Sequence, residues 1–139
     1  MREILFRGKR LQGGNWVEGY FFKSDINKRE RESKKATLIF TPDCDTFIMV
    51  PECHNSFMVV SDTVGQYTGL IDKNGKRVFE GDIMAFAAYG FDYAGSVEIV
   101  DGNASVMCKN ASPFLDQSIS KHGAYIIGNI YDNPELLEK

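Results

Sequence analysis

Residues 66–83 constrain the fold of this chain more than any other stretch. Asn74-Gly75 stands there between two apolar runs, Tyr67 to Ile71 and Val78-Phe79. A type I′ hairpin turn needs positive φ at both central positions, and Asn and Gly reach it at little cost. The pattern predicts two antiparallel strands joined at Asn74-Gly75. At Glu80-Gly81-Asp82 a glycine lets the chain bend before Ile83 and Met84 start a third strand. Asp82 is expected to accept backbone amides at that bend, with Glu80 solvated, rather than the two forming an acid/base pair.

The remainder of the chain reads as more strands. Ile4-Leu5-Phe6 is one, and Trp16 to Phe22 is another, beyond Gly13-Gly14-Asn15. In the second, Trp16, Glu18, Tyr20 and Phe22 share one face and Val17, Gly19 and Phe21 the other, so both faces are expected to be partly buried. Thr37-Leu38-Ile39-Phe40 and Thr46 to Val50 flank a Pro42 turn, and Pro51 ends the latter strand. Val97 to Val100 and Ala104 to Cys108 form a hairpin over Asp101-Gly102-Asn103. Residues 109–122 read as polar loop and Tyr125-Ile126-Ile127 as the last strand. Asp132-Asn133-Pro134-Glu135 starts a short helix.

Close-spaced strands with Gly-rich turns predict a mainly β protein. The expected organisation is an SH3-type barrel or roll over residues 61–139, ending in a short C-terminal helix, with additional N-terminal strands forming a lobe over residues 1–60 packed on it.

At 139 residues the chain is long enough to bury a core without disulfides or metal. Its three cysteines, Cys44, Cys53 and Cys108, have no close pair and suit a reducing compartment. No apolar run approaches the roughly 20 residues of a membrane span, and Met1-Arg2-Glu3-Ile4 lacks a signal-peptide core, so a cytoplasmic protein is expected. Charge is unevenly spread. Residues 1–35 hold ten Lys/Arg against five Asp/Glu, a local +5, and the rest six against fourteen, a local −8. The acidic body argues against wrapping duplex nucleic acid, although a basic arm can still touch phosphates or an acidic partner.

Chemistry-bearing residues are sparse. Cys44, Asp45, Cys53, His54, Cys108 and His122 lack the tight paired spacing of a structural zinc site, so no metal is expected. Cys53 and His54 are adjacent and point apart on an extended strand, which disfavours a nucleophilic dyad. Gly13-Gly14 opens no helix, so no phosphate cradle and no cofactor are expected. No catalytic residue is assigned, and the chain is expected not to be an enzyme. Two surfaces remain. Tyr89, Phe91 and Tyr93 alternate in a loop and can form an amphipathic ledge for a partner, or else cap the barrel end or an oligomer interface. Lys28, Arg29, Arg31, Lys34 and Lys35 crowd a charged run suited to an anionic partner.

Three phrases carry a resemblance: Gln66-Tyr67-Thr68-Gly69-Leu70; Asp72 to Lys76 with Phe79 to Ile83; and Ile127-Gly128-Asn129-Ile130-Tyr131-Asp132-Asn133-Pro134-Glu135-Leu136-Leu137. Together with the opening Met1 to Arg7 they resemble the YopX family of bacteriophage and prophage proteins. The resemblance implies a phage or prophage origin and a β-rich fold with an SH3-type barrel. It supplies no catalytic or binding residue. A non-enzymatic accessory protein that binds a host or phage macromolecule, a protein foremost, is therefore expected. A self-assembling homo-oligomer and single-stranded nucleic-acid binding are the alternatives.

Overall fold

A computed structural model describes residues 4–23 and 46–137. The chain is mainly β, with two antiparallel sheets and one α-helix among the described residues. It divides into two compact units, one spanning Ile4–Gln66 and the other running from Tyr67 onward.

The first unit contains β1 (Phe6–Lys9), β2 (Trp16–Lys23), β3 (Thr46–Val50) and β4 (Asn55–Met58), ordered β4-β3-β2-β1. The start of β5 (Gly65–Ile71) adds to the far side of β1 through Arg7↔Gly65 and Phe6↔Gln66. β1 begins two residues later than its apolar run predicts, because pairing with β2 runs from Phe6↔Gly19 to Lys9↔Trp16. One face of this sheet is packed: Ile48 and Val59 are fully buried and the Phe6 and Phe21 rings lie 5.3 Å apart. Gly19 has no substitute there, since a Cβ would land on the Met49 carbonyl oxygen. The other face is partly buried, as expected, with Trp16, Phe47 and Met49 half-buried beside the exposed Tyr20 and Phe22. The expected strand at Thr37-Leu38-Ile39-Phe40 lies outside the described residues.

The second unit contains the rest of β5, β6 (Arg77–Phe79), β7 (Asp82–Ala88), β8 (Phe91–Val100), β9 (Asn103–Cys108) and β10 (Tyr125–Asn129). β5 pairs with β6, and a second sheet runs β10-β7-β8-β9. The ladders do not close into a barrel among the described residues. The expected hairpin over Asp101-Gly102-Asn103 is present and turns on Asp101-Gly102 alone, with φ of 53° and 82° as in a type I′ turn. The Asp82 bend is also as expected: its Oδ2 accepts the Phe79 amide at 2.8 Å, and Gly81 sits at φ 92°.

Two expectations change and a third is made more definite. The β5–β6 turn is not type I′, since positive φ falls on Gly75 alone. Gly75 N–H donates to the Asp72 carbonyl at 3.0 Å and Asp72 N–H to the Lys76 carbonyl at 2.8 Å, so the loop is longer than two residues. The cause is Asp72, whose Oδ1 accepts the amides of Asn74 and Lys76, both at 2.9 Å, and so draws the loop around itself. Second, residues 115–122, read as loop, form α1 (Leu115–His122). Its apolar stripe is only Leu115 and Ile119, too little for periodicity to declare, but it seats on the inner face of the sheet beside Val106, Met84 and Phe86. Gly123, at φ 63°, ends it, with its N–H donating to the Ile119 carbonyl at 3.0 Å. Third, the C-terminal helix is a single 3₁₀ turn, Pro134–Leu137.

The chain before α1 also closes a sheet edge. Val106 and Cys108 of β9 donate to the carbonyls of Pro113 and Ala111 at 2.9 and 2.8 Å, which satisfies amides that an edge strand would otherwise present. No helix of the described residues is long and apolar enough to cross a membrane.

Asp72 also reaches across the second unit: Oδ2 accepts the Ile126 amide of β10 at 3.0 Å. Burial alone would raise the Asp72 pKa, but the amides of Ile126, Lys76 and Asn74 and the nearby Lys76 charge together hold it below the ordinary carboxylate value. A depressed native pKa contributes stability that is complete above the unfolded value near about 3.9 and is lost as pH falls through the native one. Asp72→Ala is expected to cost about 2–4 kcal/mol in denaturant unfolding at pH 7, because it leaves buried amides without acceptors. Asp72→Asn should flatten the loss of stability below about pH 4 that the parent shows.

Candidate partner-binding hairpin

The predicted aromatic loop is the tip of a regular hairpin. β7 and β8 stay paired to their last residues, Phe86↔Tyr93, Ala87↔Asp92 and Ala88↔Phe91, leaving a two-residue turn of Tyr89 and Gly90. Both turn residues have positive φ, 53° and 84°, as a type I′ turn requires. Tyr at the first position is unusual because a side chain in the left-handed region costs roughly 1–2 kcal/mol. That explains why the sequence signalled a loop. Asn or Asp before Gly declares a hairpin, and Tyr does not.

Strand alternation places Phe86, Ala88, Phe91 and Tyr93 on the inner face of the sheet. Phe86 is buried and stacks on Tyr93 with centroids 5.2 Å apart and planes 18° apart. His122, the last residue of α1, stacks on Phe86 at 5.7 Å, and Tyr89 meets the same imidazole edge-on at 5.7 Å and 66°. Four rings therefore run in series from the core to the tip. Exposure rises along the series and at its flank: Phe86 is 7% exposed, Phe91 67% and Tyr89 85%.

The three aromatic residues singled out from sequence thus divide. Tyr89 and Phe91 stand at the open end, whereas Tyr93 is half-buried and packs against the core cluster. The sequence reasoning missed Phe86 and His122, which brace them. The available signals were Gly123 as a helix stop and the 115, 118, 119, 122 spacing before it. Beside the hairpin lies an open groove of about 1120 Å³, whose lining includes Phe91, Tyr93, His122, Lys73, Tyr125 and Leu136. The Lys73 ammonium sits 4.6 Å from the Tyr125 ring centroid, a cation–π contact. The basic residues Lys28, Arg29, Arg31, Lys34 and Lys35 lie outside the described residues.

The sulfur and imidazole groups are dispersed. Cys53 is exposed in the turn after β3 and donates weakly to the Val50 carbonyl at 3.8 Å. Cys108 ends β9, and burial pushes its thiol pKa up, which disfavours the thiolate a nucleophile needs. Cys44 and Asp45 lie outside the described residues, and among those described no three His, Cys, Asp or Glu side chains gather around one point.

The polar residues of the phrases that carry the family resemblance hold turns. Besides Asp72 and Asp82, Asn129 Oδ1 accepts the amides of Tyr131 and Asp132 at 3.0 and 2.9 Å, and Asn133 Oδ1 accepts that of Asn129 at 3.3 Å. Gly128 is required beside this turn, since a Cβ would come within 2.6 Å of Asn133 Oδ1. These features define a small antiparallel β protein of two compact units whose signature residues tie its turns. The chain belongs to the YopX family: the family model described as YopX protein matches residues 5–138. A solved structure, protein EF1440 from Enterococcus faecalis, is similar in fold, with a TM-score of 0.56, 23% identity, and 99% of each chain covered. No curated protein matches the chain significantly.

The ring series separates stability from surface. Phe86→Ala is expected to destabilise the protein by about 3–5 kcal/mol in chemical unfolding, as for a buried aromatic. Phe91→Ala should stay within about 0.5 kcal/mol of the parent.

Proposed function

We propose that this YopX-family chain is a non-enzymatic accessory protein of a phage or prophage, which acts in the bacterial cytoplasm by binding a host or phage protein through the β7–β8 tip. One observation carries this reading: Tyr89 and Phe91 are 85% and 67% exposed while held on a two-residue turn and backed by a ring series rooted in the core. Aromatic side chains fixed before binding bury much area while losing little entropy, and residues of this kind dominate interface energetics. The groove beside the tip, with Lys73 on its wall, offers room for a partner segment with an acidic group. Lys28, Arg29, Arg31, Lys34 and Lys35 provide a second contact for an anionic part of the partner.

The non-enzymatic reading is supported by what the polar groups already do. Asp72, Asp82, Asn129 and Asn133 are engaged with backbone amides at turns and supply no acid, base or nucleophile. The fold of the second unit is an open SH3-type roll in this reading. The β7-β8-β9 meander with β10 returned to β7 supports it, as does a helical segment before the last strand.

The alternative occupant of the tip is a second copy of the chain in a homo-oligomer. The immobilised protein and its Tyr89→Ala/Phe91→Ala variant should be exposed to lysate of the natural host, with light scattering of both in parallel. The expected result is a specific protein retained by the parent and reduced at least about tenfold on the variant. Equal capture by both overturns the tip as the contact. An oligomer that the double substitution dissolves, with nothing captured, assigns the tip to self-assembly.

A further inference from the structure

We infer that Asn74 is a site of deamidation, which the folded β5–β6 loop holds in check through Asp72 and which becomes reactive when that loop opens. The inference concerns covalent chemistry at the loop and does not rest on the reading given for the hairpin tip.

Asn74-Gly75 is the chain's one Asn-Gly pair. Its reaction needs no enzyme. The Gly75 backbone nitrogen gives its proton to water or hydroxide, and the electron pair left behind attacks Asn74 Cγ. The Cγ–Nδ2 bond breaks, the side-chain nitrogen takes up a proton and leaves as ammonia, and a five-membered imide remains. Water then adds to either imide carbonyl. One opening leaves an aspartyl residue at position 74, and the other an isoaspartyl link in which the main chain runs through the side-chain carbon. One water is consumed and one ammonia released. Glycine after Asn favours the attack because it has no Cβ to crowd the nitrogen.

The loop exposes this pair and restrains the attacking atom. Asn74 and Gly75 are both exposed, and nothing beyond the chain neighbours lies within 4 Å of the point where a Cβ on Gly75 would stand. Solvent therefore reaches the pair. The Gly75 N–H, however, donates to the Asp72 carbonyl at 3.0 Å, and that bond must break before a base can take the proton. The Asp72 carboxylate accepts the amides on either side, those of Asn74 and Lys76, so negative charge already stands beside the place where the amide anion would form. The nearby Lys76 charge offsets part of that effect, which leaves the hydrogen bonds as the larger restraint. Asp72 is itself fixed from β10 through the Ile126 amide. The protection is thus tertiary: it lasts while β10 is seated and ends with local opening of the loop.

The product would keep the loop open. An isoaspartyl link lengthens the main chain by one carbon between positions 74 and 75, which displaces the Gly75 N–H from the Asp72 carbonyl. Either product also sets a second carboxylate close to that of Asp72. Deamidation therefore marks the chains whose loop has opened.

The test incubates the full chain at mildly alkaline pH, natively folded and in guanidinium chloride, and follows the Asn74 peptide by chromatography and mass spectrometry. The peptide is expected to gain the mass that replacing –NH2 by –OH brings and to split into aspartyl and isoaspartyl forms. The native chain should react at least about tenfold more slowly than the unfolded one, since it reaches the reactive geometry only through local opening. Asp72→Asn, verified as folded by circular dichroism, should react faster at Asn74 than the parent, because one side-chain oxygen cannot serve the amides that Oδ1 and Oδ2 now share. Fragmentation places the change at position 74 rather than 72, and Asn74→Gln should remove it. The comparison of native with unfolded parent needs no variant, and it decides the matter if Asp72→Asn does not fold. An unmodified Asn74 in the unfolded chain, equal rates in the two states, or a folded Asp72→Asn that reacts no faster than the parent overturns the inference.

Discussion

The carboxylate of Asp72 is the constraint on which the second unit depends. Three backbone amides converge on it, two from its own turn and one from Ile126 in β10, far along the chain. A buried anion is costly unless hydrogen bonds replace its water, and here they do so well enough to lower its pKa against the effect of burial. The same bonds set where the β5–β6 loop turns and where β10 begins. From that anchoring follow the return of β10 to β7 and the closing of the core around Met84, Phe86, Val97 and Leu115.

Asp72 belongs to a pattern that separates identity from action. Asp72, Gly81, Asp82, Gly128, Asn129 and Asn133 lie within the phrases that carry the resemblance to the YopX family, and each satisfies amides at a turn or leaves space that a turn requires. Substitution there threatens the backbone before it touches any partner. The exposed chemistry is elsewhere. It stands on the tip of β7–β8, where side chains project from rigid strands without being needed for the strands themselves.

At the tip the exposed Tyr89 ring is backed by the more deeply set rings of His122 and Phe86. Rings supported in this way lose little freedom when a ligand covers them, which favours recognition by stacking and shape. The tip also has Asp92 beside Phe91 and Lys73 across the groove.

By itself the sequence determined the mainly β class, the hairpin at Asp101-Gly102, the bend at Gly81-Asp82, the end of β3 at Pro51 and the family. All of these rest on local chemistry: alternation, turn residues with cheap positive φ, a missing amide. Only the tertiary structure decided that residues 115–122 are helical, since two apolar side chains make a helix stable only when a sheet is present to receive them. It likewise decided that Asn74 avoids the conformation its dipeptide prefers, because Asp72 is held in place by β10. The most consequential case is the aromatic tip. Tyr89, Phe91 and Tyr93 are alike in sequence, but the paired strands half-bury one and present two, and His122 joins them from a helix that local patterning did not reveal.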